Sequence, residues 1–172
     1  MAYPGSIFYN CRFESNRSYH SGQGDAQATG AIGIHGDSGN SAFSNIYTLI
    51  DGCEFIYNEG RNEGGAINAR HSTVIQNSLF YKNKANNNGN GAHGGAIAAM
   101  PRVQGDGGWA YDTYLHVINS TFVENSADGG GGAISIYGSN GPIIFNSIFM
   151  NNKEQNHSNI NDFSISGGQG GN

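Results

Sequence analysis

Charge is the first thing this chain has little of. Only 12% of its 172 residues are Asp, Glu, Lys or Arg, and the formal net charge is −5. That balance offers no basic stripe for neutralising a phosphate backbone, which excludes a nucleic-acid partner. It also argues against a solvated polyelectrolyte, because disordered segments pair low hydrophobicity with high net charge. Long hydrophobic runs are missing as well. None approaches the ~20 apolar residues of a membrane-spanning helix, and no charged-then-apolar leader opens the chain. An exported form is therefore expected to have lost its leader or never to have carried it in this sequence. A sustained 3.6-residue period is also lacking, since Gly and Asn interrupt every candidate helix.

What the chain has instead is glycine, 28 residues of it, and internal repetition. Phe followed three later by Asn occurs at Phe13/Asn16, Phe55/Asn58, Phe80/Asn83, Phe122/Asn125 and Phe149/Asn152. A Gly-Ala-Ile element alternates with it and ends at Ile32, Ile67, Ile97 and Ile134. Two positions before each Phe stands a small residue: Cys11, Cys53, Ser78, Ser120 or Ser147. Three before that comes an apolar one: Phe8, Ile50, Ile75, Val117 or Ile144. Successive Phe positions are 42, 25, 42 and 27 residues apart, so the short value is the bare unit and the first and third units carry insertions. Insertions confined to fixed points of a repeat belong to the exposed corners of a coil.

Each unit offers only short two-residue alternations, too short to form a sheet alone. Wound one coil per unit, the same strand from successive units pairs in parallel about 4.8 Å apart. The expectation is an all-β, right-handed parallel β-helix (a β-solenoid) of about five coils, with inserted corner loops in coils 1 and 3. It forms a single domain, 1–172, with units at about 5–34, 47–69, 72–99, 114–137 and 142–165. Its equivalent side chains form a Phe ladder, an aliphatic ladder, a small Cys/Ser ladder and an outer Asn ladder of Asn16, Asn58, Asn83, Asn125 and Asn152. Asparagine suits corners because it tolerates left-handed backbone. The glycine pair supplies a corner and a close backbone approach before the chain re-enters a buried strand. Cys11 and Cys53 share one register in adjacent coils, at a separation slightly beyond the usual disulfide range. Two free buried thiols are expected there, with a strained disulfide as the alternative.

The elements "CEFIYNEGRNEGGAI" and "NSTFVENSADGGGGAI" resemble the FxxN and GGAI repeats of the polymorphic outer membrane protein family, known from chlamydial adhesins and secreted bacterial proteins. The likeness runs from about Ile7 to Asn152. It implies a right-handed parallel β-helix serving as the passenger of a surface adhesin. Thr29 departs from the pattern where a second Gly is usual, and no Gly-Ala-Ile follows Asn152; "FSISGGQGGN" reads as a degenerate closing strand.

Carbohydrate-cleaving enzymes on such folds need clustered carboxylates with a Lys or Arg, or two facing acids. The acids here are scattered beside turns, at Asp25, Asp37, Asp51, Glu59, Asp106 and Asp128. Outward positions on the Gly-Ala-Ile strands carry Gly33, Asn68, Ala98 and Ser135, none of which is an acid or base by itself. The six His residues show no ligand spacing, and no metal or cofactor site is read. Trp109, Tyr111 and Tyr114 crowd one inserted segment, with Phe43 and Tyr47 in the other. They either pack these loops onto the coil or form a ligand surface for sugar or protein. The expected function is a non-enzymatic structural or adhesive protein, secreted or on the cell surface. Its partners would be adjoining coils, other copies stacked head to tail into a filament, or a glycan or host surface. The alternative is a carbohydrate-binding or carbohydrate-active protein.

Overall fold

A strand of three residues holds its place only when an equivalent strand lies beside it. The computed structural model describes residues 2–18, 29–34, 46–87, 92–99, 114–137, 142–154 and 162–166. The first unit supplies β1 (Ile7–Tyr9), β2 (Arg12–Glu14) and β3 (Ile32–Ile34). The second supplies β4 (Thr48–Asp51), β5 (Glu54–Ile56), β6 (Glu59–Gly60) and β7 (Ile67–Ala69). The third gives β8 (Thr73–Gln76), β9 (Leu79–Tyr81), β10 (Lys84–Ala85) and β11 (Ile97–Ala99). Then come β12 (Leu115–Ile118), β13 (Thr121–Val123), β14 (Ser126–Ala127) and β15 (Ile134–Tyr137). The last unit holds β16 (Ile143–Phe145), β17 (Ile148–Met150), β18 (Lys153–Glu154) and β19 (Phe163–Ser166). No helix occurs among the described residues.

These strands sort into four sheets. The first is β1-β4-β8-β12-β16, the second β2-β5-β9-β13-β17, the third β6-β10-β14-β18, and the fourth β3-β7-β11-β15-β19. Every pairing between them is parallel. The result is a β-solenoid with a continuous axial core.

Inside, each column stacks on itself. The rings of Phe13, Phe55, Phe80, Phe122 and Phe149 lie face to face, with centroids 4.9, 4.8, 4.6 and 4.7 Å apart and planes within 6° of parallel. Ile32, Ile67, Ile97 and Ile134 pair in register on the fourth sheet, and Phe163 takes the next place. "FSIS" therefore forms a strand without the Gly-Ala-Ile signature. In the small column the side chain caps a backbone donor of the preceding rung. Cys53 N donates to Ser78 Oγ at 3.1 Å, Ser78 N to Ser120 Oγ at 3.2 Å, and Ser120 N to Ser147 Oγ at 3.1 Å. Both cysteines are free thiols, but only Cys53 is buried, since Cys11 stands in the first rung and is partly exposed; Cys11 N lies 3.5 Å from Cys53 Sγ, which takes the same role more weakly. Burial pushes the Cys53 thiol above its ordinary pKa, so it stays protonated.

One column departs from expectation. Asn58, Asn83, Asn125 and Asn152 are not an outer ladder: all four are fully buried, and only Asn16 is exposed. The amide explains why. Asn83 Nδ2 donates to Asn125 Oδ1 at 3.0 Å and to Phe55 O at 2.9 Å. Its Oδ1 accepts from Asn58 N and Nδ2, at 3.0 and 2.9 Å. A group with two donors and one two-lone-pair acceptor is thus satisfied by its own copies. The left-handed corner falls instead on the residue before it, Ser15, Tyr57, Lys82, Glu124 or Asn151, at φ between 53° and 57°. A second left-handed corner, between the first and second sheets, holds Asn10, Gly52, Asn77, Asn119 and Asn146.

The glycine pair divides two duties. Gly64, Gly94 and Gly131 have φ of +67°, +68° and +73°. The glycine after each has no room for a side chain: a Cβ on Gly65 would collide with Gly95 O and come within 2.6 Å of the Lys84 backbone.

Phe80 sits between two parallel rings and is fully buried. Phe80→Ala is expected to cost about 3–5 kcal/mol, because neighbouring rungs cannot collapse into the void. Denaturant unfolding of both proteins checks this, and a loss under about 1 kcal/mol contradicts a rigid stack.

Candidate functional surfaces

Two outer surfaces gather chemistry-bearing side chains. The first lies on the fourth sheet. Glu63 and His93 occupy equivalent places just before the glycine pairs and are bridged in parallel. Glu63 Oε2 accepts from Asn68 Nδ2 at 2.8 Å and Arg70 Nη2 at 3.0 Å. His93 Nδ1 accepts from Gly130 N at 3.1 Å, and its ring meets Tyr137 edge-on at 5.2 Å. These two bridges run from one end of a strand to the other over Asn68, Ala98 and Ser135. The outward residues beneath are accordingly buried, and Ser135 Oγ has no hydrogen-bond partner.

Inspection of single positions missed this cluster. Glu63, Arg70 and His93 are far apart in sequence, and the signal that joins them is the shared register before "GG". Chemically the groups are already committed. The carboxylate carries a guanidinium and an amide, and the basic imidazole nitrogen is occupied by a backbone N–H, leaving the ring proton on Nε2.

The second surface is the outer face of the first sheet. Strand alternation turns Ile7 and Tyr9, Leu49 and Asp51, Val74 and Gln76, His116 and Ile118, and Ile143 and Phe145 away from the core. Tyr47 and Tyr114 extend the same face, just before β4 and β12. They share one column with Ser72 between them, since Thr48 N donates to Ser72 O and Thr73 N to Tyr114 O. Tyr9, Tyr47 and Phe145 are 65%, 44% and 66% exposed. Tyr114 packs at 4.5 Å on the His116 ring. Of the aromatic residues singled out from the sequence, the structure brings together Tyr47 and Tyr114; Phe43, Trp109 and Tyr111 lie outside the described residues.

The outward positions of this face include one carboxylate, Asp51, and no Lys or Arg. Asn77 Nδ2 donates to Asp51 Oδ1 at 2.8 Å and Gln76 Nε2 to Oδ2 at 3.0 Å, which holds its carboxyl below the usual range. Asn119 donates to Asn77 and Asn146 to Asn119, so the corner amides form a chain that ends on this acceptor. Glu59 is likewise engaged, by Arg17 at 2.8 Å, and Asp128 accepts from Asn87 N at 2.8 Å. Asp25, Asp37 and Asp106 fall outside the described residues. No three of His, Cys, Asp and Glu among the described residues are placed to hold a metal ion. No described helix is long and apolar enough to cross a membrane.

Comparison with protein-family models, with curated proteins and with solved structures finds no match to this chain.

Burial holds the His93 imidazole below its ordinary 6.5, against the opposing pull of the Glu63 and Glu154 carboxylates. Folding thus favours the neutral ring. Its contribution is complete above the unfolded pKa of about 6.5 and is lost as pH falls through the lower folded value. NMR titration is expected to place His93 below 6.5. The drop in unfolding midpoint from about pH 7 to about pH 5 should be shallower in His93→Gln. A ring titrating at or above its ordinary value contradicts the buried, Gly130-bonded state.

Proposed function

We propose that this chain is a non-enzymatic structural or adhesive protein of the cell exterior, wound as a right-handed parallel β-helix of about five coils and kin to the polymorphic outer membrane protein repeats. The right hand is the strong preference of a strand–crossover–parallel strand connection, the unit repeated along each sheet here. The five strands in each of the first, second and fourth sheets support that coil count.

One observation carries the adhesive reading: the flat outer face of the first sheet, with exposed aromatic and aliphatic side chains and a single carboxylate. Exposed apolar area of this kind marks interaction surfaces. The commitments of Glu63 and His93 to Arg70 and Gly130 support a fixed structural role over acid–base work. Retention of the purified chain on immobilised polysaccharides or cell-wall material, with no new reducing ends, is the expected result. Release of reducing or unsaturated sugars would overturn the non-enzymatic reading in favour of a carbohydrate-active protein.

Stacking on further coils belongs to the same reading. Phe13 and Phe149, at the two ends of the ring stack, are only partly buried, whereas Phe55, Phe80 and Phe122 are fully enclosed. Another coil set against either ring would continue the column, and a head-to-tail contact of this kind propagates. Sedimentation of the chain at micromolar concentration should reveal oligomers growing with concentration. A monomer throughout removes self-stacking from the proposal and leaves the adhesive face intact.

A further inference from the structure

We infer that the outer face of the first sheet binds a neutral, extended β-1,4-linked polysaccharide lying along the stacking direction, with alternate sugar rings on Tyr47 and Tyr114. This rests on the adhesive reading above and names its ligand.

Spacing is the first argument. Tyr47 and Tyr114 stand two rungs apart in one column, about 9.6 Å at ~4.8 Å per rung. That is the advance of one disaccharide in a fully extended β-1,4-linked chain, in which every second sugar presents the same face. Ser72, in the intervening rung, is buried with its Oγ 3.4 Å from Tyr114 N, so the column carries no third ring between the two tyrosines. An α-1,4-linked chain coils and cannot keep this step along a flat sheet.

Chemistry is the second. The apolar C–H face of a sugar ring packs on an aromatic ring, while its equatorial hydroxyls need polar atoms at the edge. Tyr47, Tyr114, His116 and Gln76 offer such atoms among aliphatic neighbours, which a purely hydrocarbon ligand would leave unsatisfied. With Asp51 ionised and no Lys or Arg on the face, an anionic polysaccharide is repelled, so the ligand is neutral.

Area is the third. Five rungs by the two outward positions described in every one of them measure roughly 19 by 7 Å, a footprint of about 130 Å². A stable protein partner or second copy needs about 800 Å² on each side. The face is too small for that and suits a single glycan chain.

The test is calorimetric titration of the whole chain with cellohexaose and chitohexaose, against maltohexaose and a polygalacturonate oligomer. Binding of a β-1,4 hexamer in preference to both controls is expected. Tyr47→Ala and Tyr114→Ala should each weaken it about tenfold, the scale of one lost aromatic stack. Tyr114→Phe keeps the stack and should remain within about threefold. Tyr57→Ala, at the corner after the second sheet, should leave binding unchanged. Should an alanine variant fail to fold, chemical-shift changes on the hexamer confined to the Tyr47 and Tyr114 rings make the same point in the native protein. Equal binding of maltohexaose, equal weakening by Tyr57→Ala, or no hexamer binding at millimolar concentration overturns the inference. A chain that adheres elsewhere while ignoring both β-1,4 hexamers overturns this ligand and leaves the adhesive reading standing.

Discussion

In a stack of parallel rungs each interior residue meets its own counterpart above and below, about 4.8 Å away. A side chain is acceptable inside only if it can pack on copies of itself. Phe meets that condition by stacking rings, and the four centroid spacings of 4.6–4.9 Å follow the rung repeat. Asn meets it because one amide carries both donors and an acceptor. Ser78, Ser120, Ser147 and Cys53 meet it by accepting a backbone N–H from the preceding rung. A carboxylate fails, since it has no donor and repels its copy. That constraint accounts for a low-charge chain whose ion pairs, such as Arg12–Glu54 and Lys82–Glu124, stand on the outside.

The same constraint explains where the backbone departs from extended geometry. Four sheets around one axis need sharp corners at fixed places, and a strand of three or four residues cannot bend gradually. Two corners use left-handed residues, and at the one just before the buried Asn column the side chain varies freely among Ser, Tyr, Lys, Glu and Asn. Such residues ordinarily disfavour positive φ. Here the buried amide that follows and the rung on either side hold them there. Glycine becomes obligatory only where backbone meets backbone, as at Gly65 against Gly95 O.

Outside, the rule of self-compatibility relaxes, and the faces differ. On the fourth sheet, contacts from Glu63 to Arg70 and from His93 to Tyr137 close over small residues, making a thin second layer rather than an open cleft. On the first sheet the outward contacts are looser, Gln76 with Asp51 and Tyr114 with His116, and Ile7, Tyr9, Tyr47, Ile143 and Phe145 stay exposed. These side chains stand in rows set at the pitch of the coil. The fixed rung spacing that organises the core thus also sets the spacing of any ligand that runs along the surface.

The sequence by itself determined that the chain is all β and stacked. The Phe-x-x-Asn and Gly-Ala-Ile spacings place each strand relative to its copies, because a repeat that cannot bury its own apolar side must use its neighbour's. It also determined which residues share a column, so the Phe and Ile registers needed no coordinates. The direction in which a column points was another matter. Asn at a corner reads equally well as an outward left-handed residue or an inward amide, and only the hydrogen-bonded ladder of Asn58, Asn83, Asn125 and Asn152 decides between them. The joining of Glu63, Asn68, Arg70 and His93, and of Tyr47 with Tyr114, likewise depended on how far each corner turns the chain. Repeat spacing specifies the order of residues along a coil; the angles at its corners decide which of them meet.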